Sequence, residues 1–409
     1  MLKKLSKIVF IIFWFIQIIN SIALGQSAKA QLSIANSAKL VSKNFYDEVL
    51  FTNKSGYIII PVKIDTNIYQ YIFDTGGYNT VTTDIVNQAK LSSLMEVNIG
   101  SSNQIKSRTK LYKIPSLEIG KTRFQDIGAF NFDFAASPII NCFTNGGLIG
   151  KSLIREAVWQ IDSRNSVIRI SDRISNMPFV EKGERIEIKL DQTLNPFLKL
   201  FINGRQETFL LDFGYGGLVS LTEKTADLLK FNQVLTMYGE GDVGINGVIN
   251  ENTRVAKLES LKIGETVLKN QLAYFAKSNN YNLLGAGLID YFIVTLNFKD
   301  KELILTPYNN AETDFGTFGF TFNMDGNKIY INKIFNGLNI QKTDLQVNDE
   351  LISIDGQQWH GISSCDRYFK FNTALKTEQK ITILVKRGLE VKSFNISKQK
   401  PFLIEPEKN

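Results

Sequence analysis

An apolar hairpin that ends in Asp-x-Gly occurs twice in this chain. The first runs Tyr57-Ile58-Ile59-Ile60-Pro61-Val62-Lys63-Ile64, crosses a short polar turn and ends Tyr71-Ile72-Phe73-Asp74-Thr75-Gly76-Gly77. The second runs Pro196-Phe197-Leu198-Lys199-Leu200-Phe201-Ile202, turns at Asn203-Gly204-Arg205 and ends Phe209-Leu210-Leu211-Asp212-Phe213-Gly214. Each reads as two strands joined by a tight turn. The match continues downstream. Gly147-Leu148-Ile149-Gly150 precedes a helical stretch over 151–157 and strands over 158–162 and 167–170. Leu283-Leu284-Gly285 precedes a short helical stretch to Tyr291 and strands over 292–298 and 302–305. The offset is 212 − 74 = 138 at the aspartates and 285 − 150 = 135 at the glycines. A near-constant offset over five matched elements predicts duplication of one mostly-β unit of about 130 residues.

Glycine allows the tight turn that presents a carboxylate at the end of a buried strand. Two such turns facing each other across a pseudo-twofold axis bring Asp74 and Asp212 together. Like charges about 3 Å apart cannot both ionise easily, so the pair shares a proton. The ionised member takes a proton from water, the protonated member polarises a carbonyl, and the pair then protonates a leaving amine. The titration belongs to the pair, so the sequence assigns acid and base to neither residue. Between its two signatures each half holds a Gly-rich polar hairpin, over 97–113 and 237–255. Each is either a cover for a cleft or an ordinary meander hairpin.

Composition removes other chemistries. The single histidine, His360, is expected in a surface loop, which leaves no His-dependent nucleophile system and argues against a zinc site. Carboxylates are then the expected proton carriers, with no metal or cofactor. Asp212-Phe213-Gly214 also resembles a kinase magnesium motif, but a kinase needs a His-Arg-Asp stretch and Gly361 follows the only histidine. The net charge is +7, and 44 − 40 = +4 once Lys3, Lys4 and Lys7 are set aside. The remaining lysines form no basic stripe, so no nucleic-acid partner is expected.

Those three lysines open a leader. They precede an apolar run over 8–19 and the small residues Ser21-Ile22-Ala23-Leu24-Gly25, the layout of a secretory signal peptide. The expectation is an exported protein (periplasmic, cell-surface or secreted), with membrane attachment only if this segment stays uncleaved. Cys142 and Cys365 lie far apart, and two free, mostly buried thiols are expected.

Phe73-Asp74-Thr75-Gly76 with Leu148-Ile149-Gly150 resembles one lobe of an aspartic protease. The two lobes together resemble a single-chain, retropepsin-like aspartic protease of the bacterial type that carries a PDZ domain, over roughly residues 45–400. The resemblance implies that Asp74 and Asp212 form a catalytic dyad supported by Thr75, Gly76, Phe213 and Gly214. It also implies flap-like hairpins and an extended polypeptide substrate in a central cleft. In the family a Thr or Ser follows each aspartate and its hydroxyl locks the two loops together. Phe213 has none, and Gly77 and Tyr215 stand where Ser, Thr or Ala is common. A catalytically impaired, peptide-binding pseudo-protease is therefore the alternative.

After Pro307 a new unit begins. The run Leu345-Gln346-Val347-Asn348-Asp349-Glu350-Leu351-Ile352-Ser353-Ile354-Asp355-Gly356 is similar to a PDZ domain, with a helix over 363–375 and a strand over 380–387. Phe318-Gly319-Phe320 fits its carboxylate-binding loop, which implies a C-terminal peptide ligand. Alternatively, the unit packs on the lobes and binds no terminus. The expected fold is mostly β: duplicated aspartic-protease-like lobes around a central cleft, then a PDZ-like β-sandwich with short helices. The expected boundaries are 1–25 leader, 26–45 linker or pro-segment, 46–180 lobe one, 181–309 lobe two and 312–400 PDZ domain.

Overall fold

The computed structural model describes residues 28–100, 105–134, 137–244, 246–308, 316–357 and 361–402. The leader, the tip of the first Gly-rich hairpin at 101–104 and His360 lie outside the described residues. The fold is mostly β, and the duplication is visible in its topology. In the first half, strands Tyr57–Ile64 and Asn67–Phe73 pair antiparallel, and Gly147–Ile149 joins the second of them in parallel, with Ile149 opposite Phe73. In the second half, Pro196–Ile202 and Arg205–Asp212 pair antiparallel, and Asn282–Gly285 joins in parallel, with Gly285 opposite Asp212. The repeated Leu-Ile-Gly and Leu-Leu-Gly segments are thus the strands that flank the two aspartates. The expected helical stretches shorten to Lys151–Ile154 and to a 3-10 turn at Ala286–Asp290.

The halves are joined by a shared sheet. Val158–Asp162 pairs antiparallel with Phe292–Asn297, Trp159 opposite Leu296 and Ile161 opposite Val294. Its outer members are Glu184–Glu187 and Tyr46–Leu50. Trp159, fully buried, packs its ring 5.3 Å from that of Phe73. The strand carrying Asp74 therefore rests on the sheet that joins the halves.

The Tyr57–Ile64 strand does not alternate apolar and polar residues, and the structure shows why. Ile58 and Ile60 face the large core shared by both halves, whereas Ile59, with Ile72 and Leu148, faces a second core. That second core is completed by Phe318, Phe320, Phe322 and Phe371 of the C-terminal region. A strand buried on both faces reads as a continuous apolar run. The C-terminal region therefore covers the outer face of the strands that present Asp74.

Two expectations change here. Cys142 and Cys365 are not free: they form a disulfide, with Cα atoms 5.2 Å apart and 223 residues between them in sequence. Sequence distance concealed this because Cys142 ends a 3-10 turn, Pro138–Cys142, that packs against strand Phe320–Asp325, while Cys365 opens the helix Ser364–Thr377. The second Gly-rich hairpin is not an isolated cover either. Its first strand, Val234–Gly244, pairs with Lys328–Phe335, Met237 opposite Phe335 and Gly239 opposite Lys333. One sheet therefore continues from the second lobe into the C-terminal region, because two open strand edges satisfy each other's N–H and C=O groups. Within that region the helix starts at the N-cap Ser363, whose hydroxyl accepts the Asp366 N–H at 3.1 Å.

Candidate active site

Asp74 and Asp212 meet. Each leaves the end of its strand into a glycine turn, and each carboxylate lies against the other turn's glycine. A Cβ added at Gly76 would stand 2.6 Å from the Asp212 carboxyl carbon, and one at Gly214 would stand 2.7 Å from that of Asp74. Only residues without side chains let the two loops approach so closely. Each carboxyl is close enough to the other to influence its protonation. The main-chain N–H of Asp74 donates to the Ile149 carbonyl at 2.9 Å, which anchors the turn to the parallel strand beside it.

Thr75 ties the loops together. Its buried hydroxyl donates to the Leu211 carbonyl at 2.7 Å and accepts the Phe213 N–H at 2.9 Å. Phe213 has no hydroxyl with which to return these bonds, and its ring is fully buried in the shared core. One side of the lock is hydrogen-bonded and the other is apolar packing.

The carboxylates are not equivalently held. Asp74 Oδ1 accepts two main-chain N–H groups, from Gly76 at 2.9 Å and Gly77 at 2.8 Å. Asp212 Oδ1 accepts the Gly214 N–H at 2.9 Å. Burial pushes both carboxyls above the ordinary aspartate range. For Asp74 this is opposed by the two glycine N–H groups, then by Asp212 and Lys151. Asp212 is pushed up to about 8, by burial first and then by the Asp74 charge. Two carboxyls placed this close cannot both ionise easily.

Two supporting residues escaped the sequence reading. Asn79 accepts the Gly150 N–H at 2.7 Å and donates to Ser152 at 2.7 Å, which fixes the turn after Leu148-Ile149. Lys151 is 3 % exposed, and its ammonium donates to the Gly76 carbonyl at 3.3 Å and to Asn195 Oδ1 at 2.5 Å, with the Tyr78 ring centroid 4.1 Å away. Its one sequence signal is the repeat itself, where position 151 + 135 = 286 is alanine.

The two Gly-rich hairpins touch each other: Asn246 Nδ2 donates to the Ile105 carbonyl at 2.8 Å, and Ser107 Oγ to Asn246 Oδ1 at 2.9 Å. Glu240, on the second hairpin, is held by Asn323, Tyr330 and Asn332 of the C-terminal sheet, at 2.9, 2.7 and 3.3 Å.

Phe318, Gly319 and Phe320 belong to the second core and not to the aspartate pair. Phe318 and Phe320 are buried, Gly319 has φ +82°, and its carbonyl accepts the Phe335 N–H at 2.8 Å. Beside the strand that follows this loop lies the Pro138–Cys142 turn, and the next residue, Phe143, sets its ring 5.2 Å from that of Phe369 on the helix. The chain's own residues therefore pack on both the strand and the helix. Among the described residues no cluster of His, Cys, Asp and Glu could hold a metal ion.

No protein-family model matches the chain, and no curated protein matches it in sequence. Among solved structures it is similar to a retropepsin-like aspartic protease from Rickettsia conorii, at 20% identity and TM-score 0.23, over 30% of this chain and 89% of that one. It is also similar to Basic 7S globulin from soybean, at 10% identity and TM-score 0.38, over 64% of this chain and 94% of that one. A third is the aspartic proteinase from Irpex lacteus, at 10% identity and TM-score 0.43, over 66% and 99%.

Proposed function

We propose that this chain is an exported aspartic endopeptidase whose dyad is Asp74 and Asp212. The observation that carries the reading is the crossed approach of the two turns, each aspartate lying against the other's glycine with Thr75 bonded across the gap. In the proposed reaction the ionised carboxylate takes a proton from water as the water oxygen bonds to the scissile carbonyl carbon. The protonated carboxyl gives its proton to the carbonyl oxygen, and a neutral gem-diol results. The first residue then protonates the amide nitrogen while the second takes back a diol proton. The C–N bond breaks, and the dyad returns to its starting protonation. Export is supported by the leader and by the Cys142–Cys365 disulfide, which suits an oxidising compartment.

In this reading the C-terminal PDZ-like region holds the second hairpin in place through the continuous sheet. A peptide C-terminus at Phe318-Gly319-Phe320 has to compete with the Pro138–Phe143 segment for the same strand and helix. A second reading, a peptide-binding protein without cleavage, is favoured by Phe213, which leaves the loop lock one-sided.

The test is incubation of the mature protein with a diverse peptide library from pH 3 to 8, beside Asp74→Asn and Asp212→Asn. Cleavage lost in both variants supports the peptidase. Binding without cleavage in all three proteins overturns it in favour of the second reading.

A further inference from the structure

The two lobes share a backbone arrangement around the aspartates and differ in one charge. In lobe one the Lys151 N–H donates to the Gly77 carbonyl at 2.9 Å; in lobe two the Ala286 N–H donates to the Tyr215 carbonyl at 2.8 Å. These are equivalent bonds, since 215 − 77 = 138 and 286 − 151 = 135 match the repeat offsets. Only the side chain differs, and lobe one carries a buried ammonium where lobe two carries a methyl group.

The three contacts of that ammonium are neutral: a carbonyl, an amide oxygen and an aromatic face. The carbonyl belongs to Gly76, and the same peptide unit ends in the Gly77 N–H, which donates to Asp74 Oδ1 at 2.8 Å. A cation on one end of a peptide dipole strengthens the hydrogen bond made at the other end. The chain Lys151 Nζ, Gly76 carbonyl, Gly77 N–H, Asp74 carboxylate thus carries positive charge to Asp74. In lobe two the matching N–H, of Tyr215, is directed to the Asp212 main-chain carbonyl at 3.1 Å.

We propose that Lys151 is a positioning residue that breaks the symmetry of the pair, holding Asp74 as the ionised member and leaving the shared proton on Asp212. The inference rests on the peptidase reading for its catalytic meaning: Asp74 takes the proton from water, and Asp212 donates to the scissile carbonyl. The groups that face the ammonium are Asp74 and Asp212 from the two turns, Asp191 from the loop before Asn195, and the Tyr78 ring. Burial lowers Lys151 to about 8, and the three aspartates oppose that fall. The same cation opposes the upward push of burial on both dyad carboxyls.

Lys151→Gln, Lys151→Met and Lys151→Arg in the full chain test this. The readouts are 13C-carboxyl titration of the aspartates and the pH profile of kcat/KM, with near-UV circular dichroism to confirm folding. In the Gln and Met variants the lower dyad transition moves up by about one pH unit, with about tenfold lower kcat/KM on the acid limb, and Arg restores both. A folded Gln or Met variant with an unchanged dyad titration overturns the assignment. The carboxyl titration needs no cleavage, so a wild type that cuts nothing sinks the peptidase reading and leaves the Lys151 assignment to be decided separately.

Discussion

Thr75 Oγ1 accepts the Phe213 N–H at 2.9 Å and donates to the Leu211 carbonyl at 2.7 Å, so a single buried hydroxyl from lobe one holds both sides of the lobe-two turn. Thr75→Val keeps the shape and removes both bonds. A buried N–H or carbonyl left without a partner costs about 1–3 kcal/mol. The variant is expected to lose about 2–4 kcal/mol in chemical denaturation and at least about tenfold in kcat, whereas Thr75→Ser retains both.

Phe213 contributes through packing. Its ring is fully buried in the core that both lobes share. Phe213→Ser supplies the absent hydroxyl and leaves a ring-sized cavity. The expected net result is destabilisation of about 3 kcal/mol or more, read as a lower denaturation midpoint, with no gain in cleavage.

Gly214 offers a direct test of the crossed approach. A Cβ there would fall 2.7 Å from the Asp74 carboxyl carbon. Gly214→Ala is expected to remain folded and to lose about 100-fold or more in kcat, because displacing one carboxylate by an ångström is expensive in rate. Single-turnover kinetics with a cleaved peptide read this directly.

The raised Asp212 has a consequence for stability against pH. Its ordinary value is 3.8 and it stands at about 8 in the folded protein, so its contribution is complete below pH 4 and is lost as the pH rises through 8. Lys151 runs the other way: lowered from 10.5 to about 8, it loses its contribution as the pH falls through 8. Asp212→Asn removes the first effect. Its Tm relative to wild type is expected to climb by roughly 5 °C between pH 4 and pH 9, measured by calorimetry.

The Cys142–Cys365 bond closes a long loop between lobe one and the C-terminal helix. Cys142→Ser and Cys365→Ser are each expected to cost about 2–5 kcal/mol. Reductant should lower the Tm of wild type and leave both variants unchanged. The reduced protein should also bind a free-C-terminal peptide more tightly than the oxidised one in fluorescence titration, since the tethered Pro138–Phe143 segment packs on the strand and helix next to Phe318-Gly319-Phe320.

Much of the fold and the meeting of the aspartates were legible in the chain, for one reason: the sequence repeats. Paired hairpins, each ending in Asp-x-Gly and each followed by an apolar-apolar-Gly strand, follow from local periodicity and a near-constant offset. The strand over 380–387 and the helix near 363 were equally readable, because a strand's alternation and a serine N-cap are local signals. The continuous apolar run at Ile58-Ile59-Ile60 was read only as a strand; that both its faces are buried, and against what, came from the structure.

What the sequence by itself determined is the mostly-β duplication and the place of one carboxylate at the end of a strand in each half. Tertiary structure alone decided the rest. Cys142 and Cys365 join because a 3-10 turn packs beside a helix 223 residues away. The second hairpin enters the C-terminal sheet because two unpaired strand edges come together there. Lys151 matters because folding brings its ammonium to the Gly76 carbonyl, whose peptide N–H holds Asp74. Contacts of this kind depend on which surfaces meet, and short-range periodicity in the chain carries no record of that.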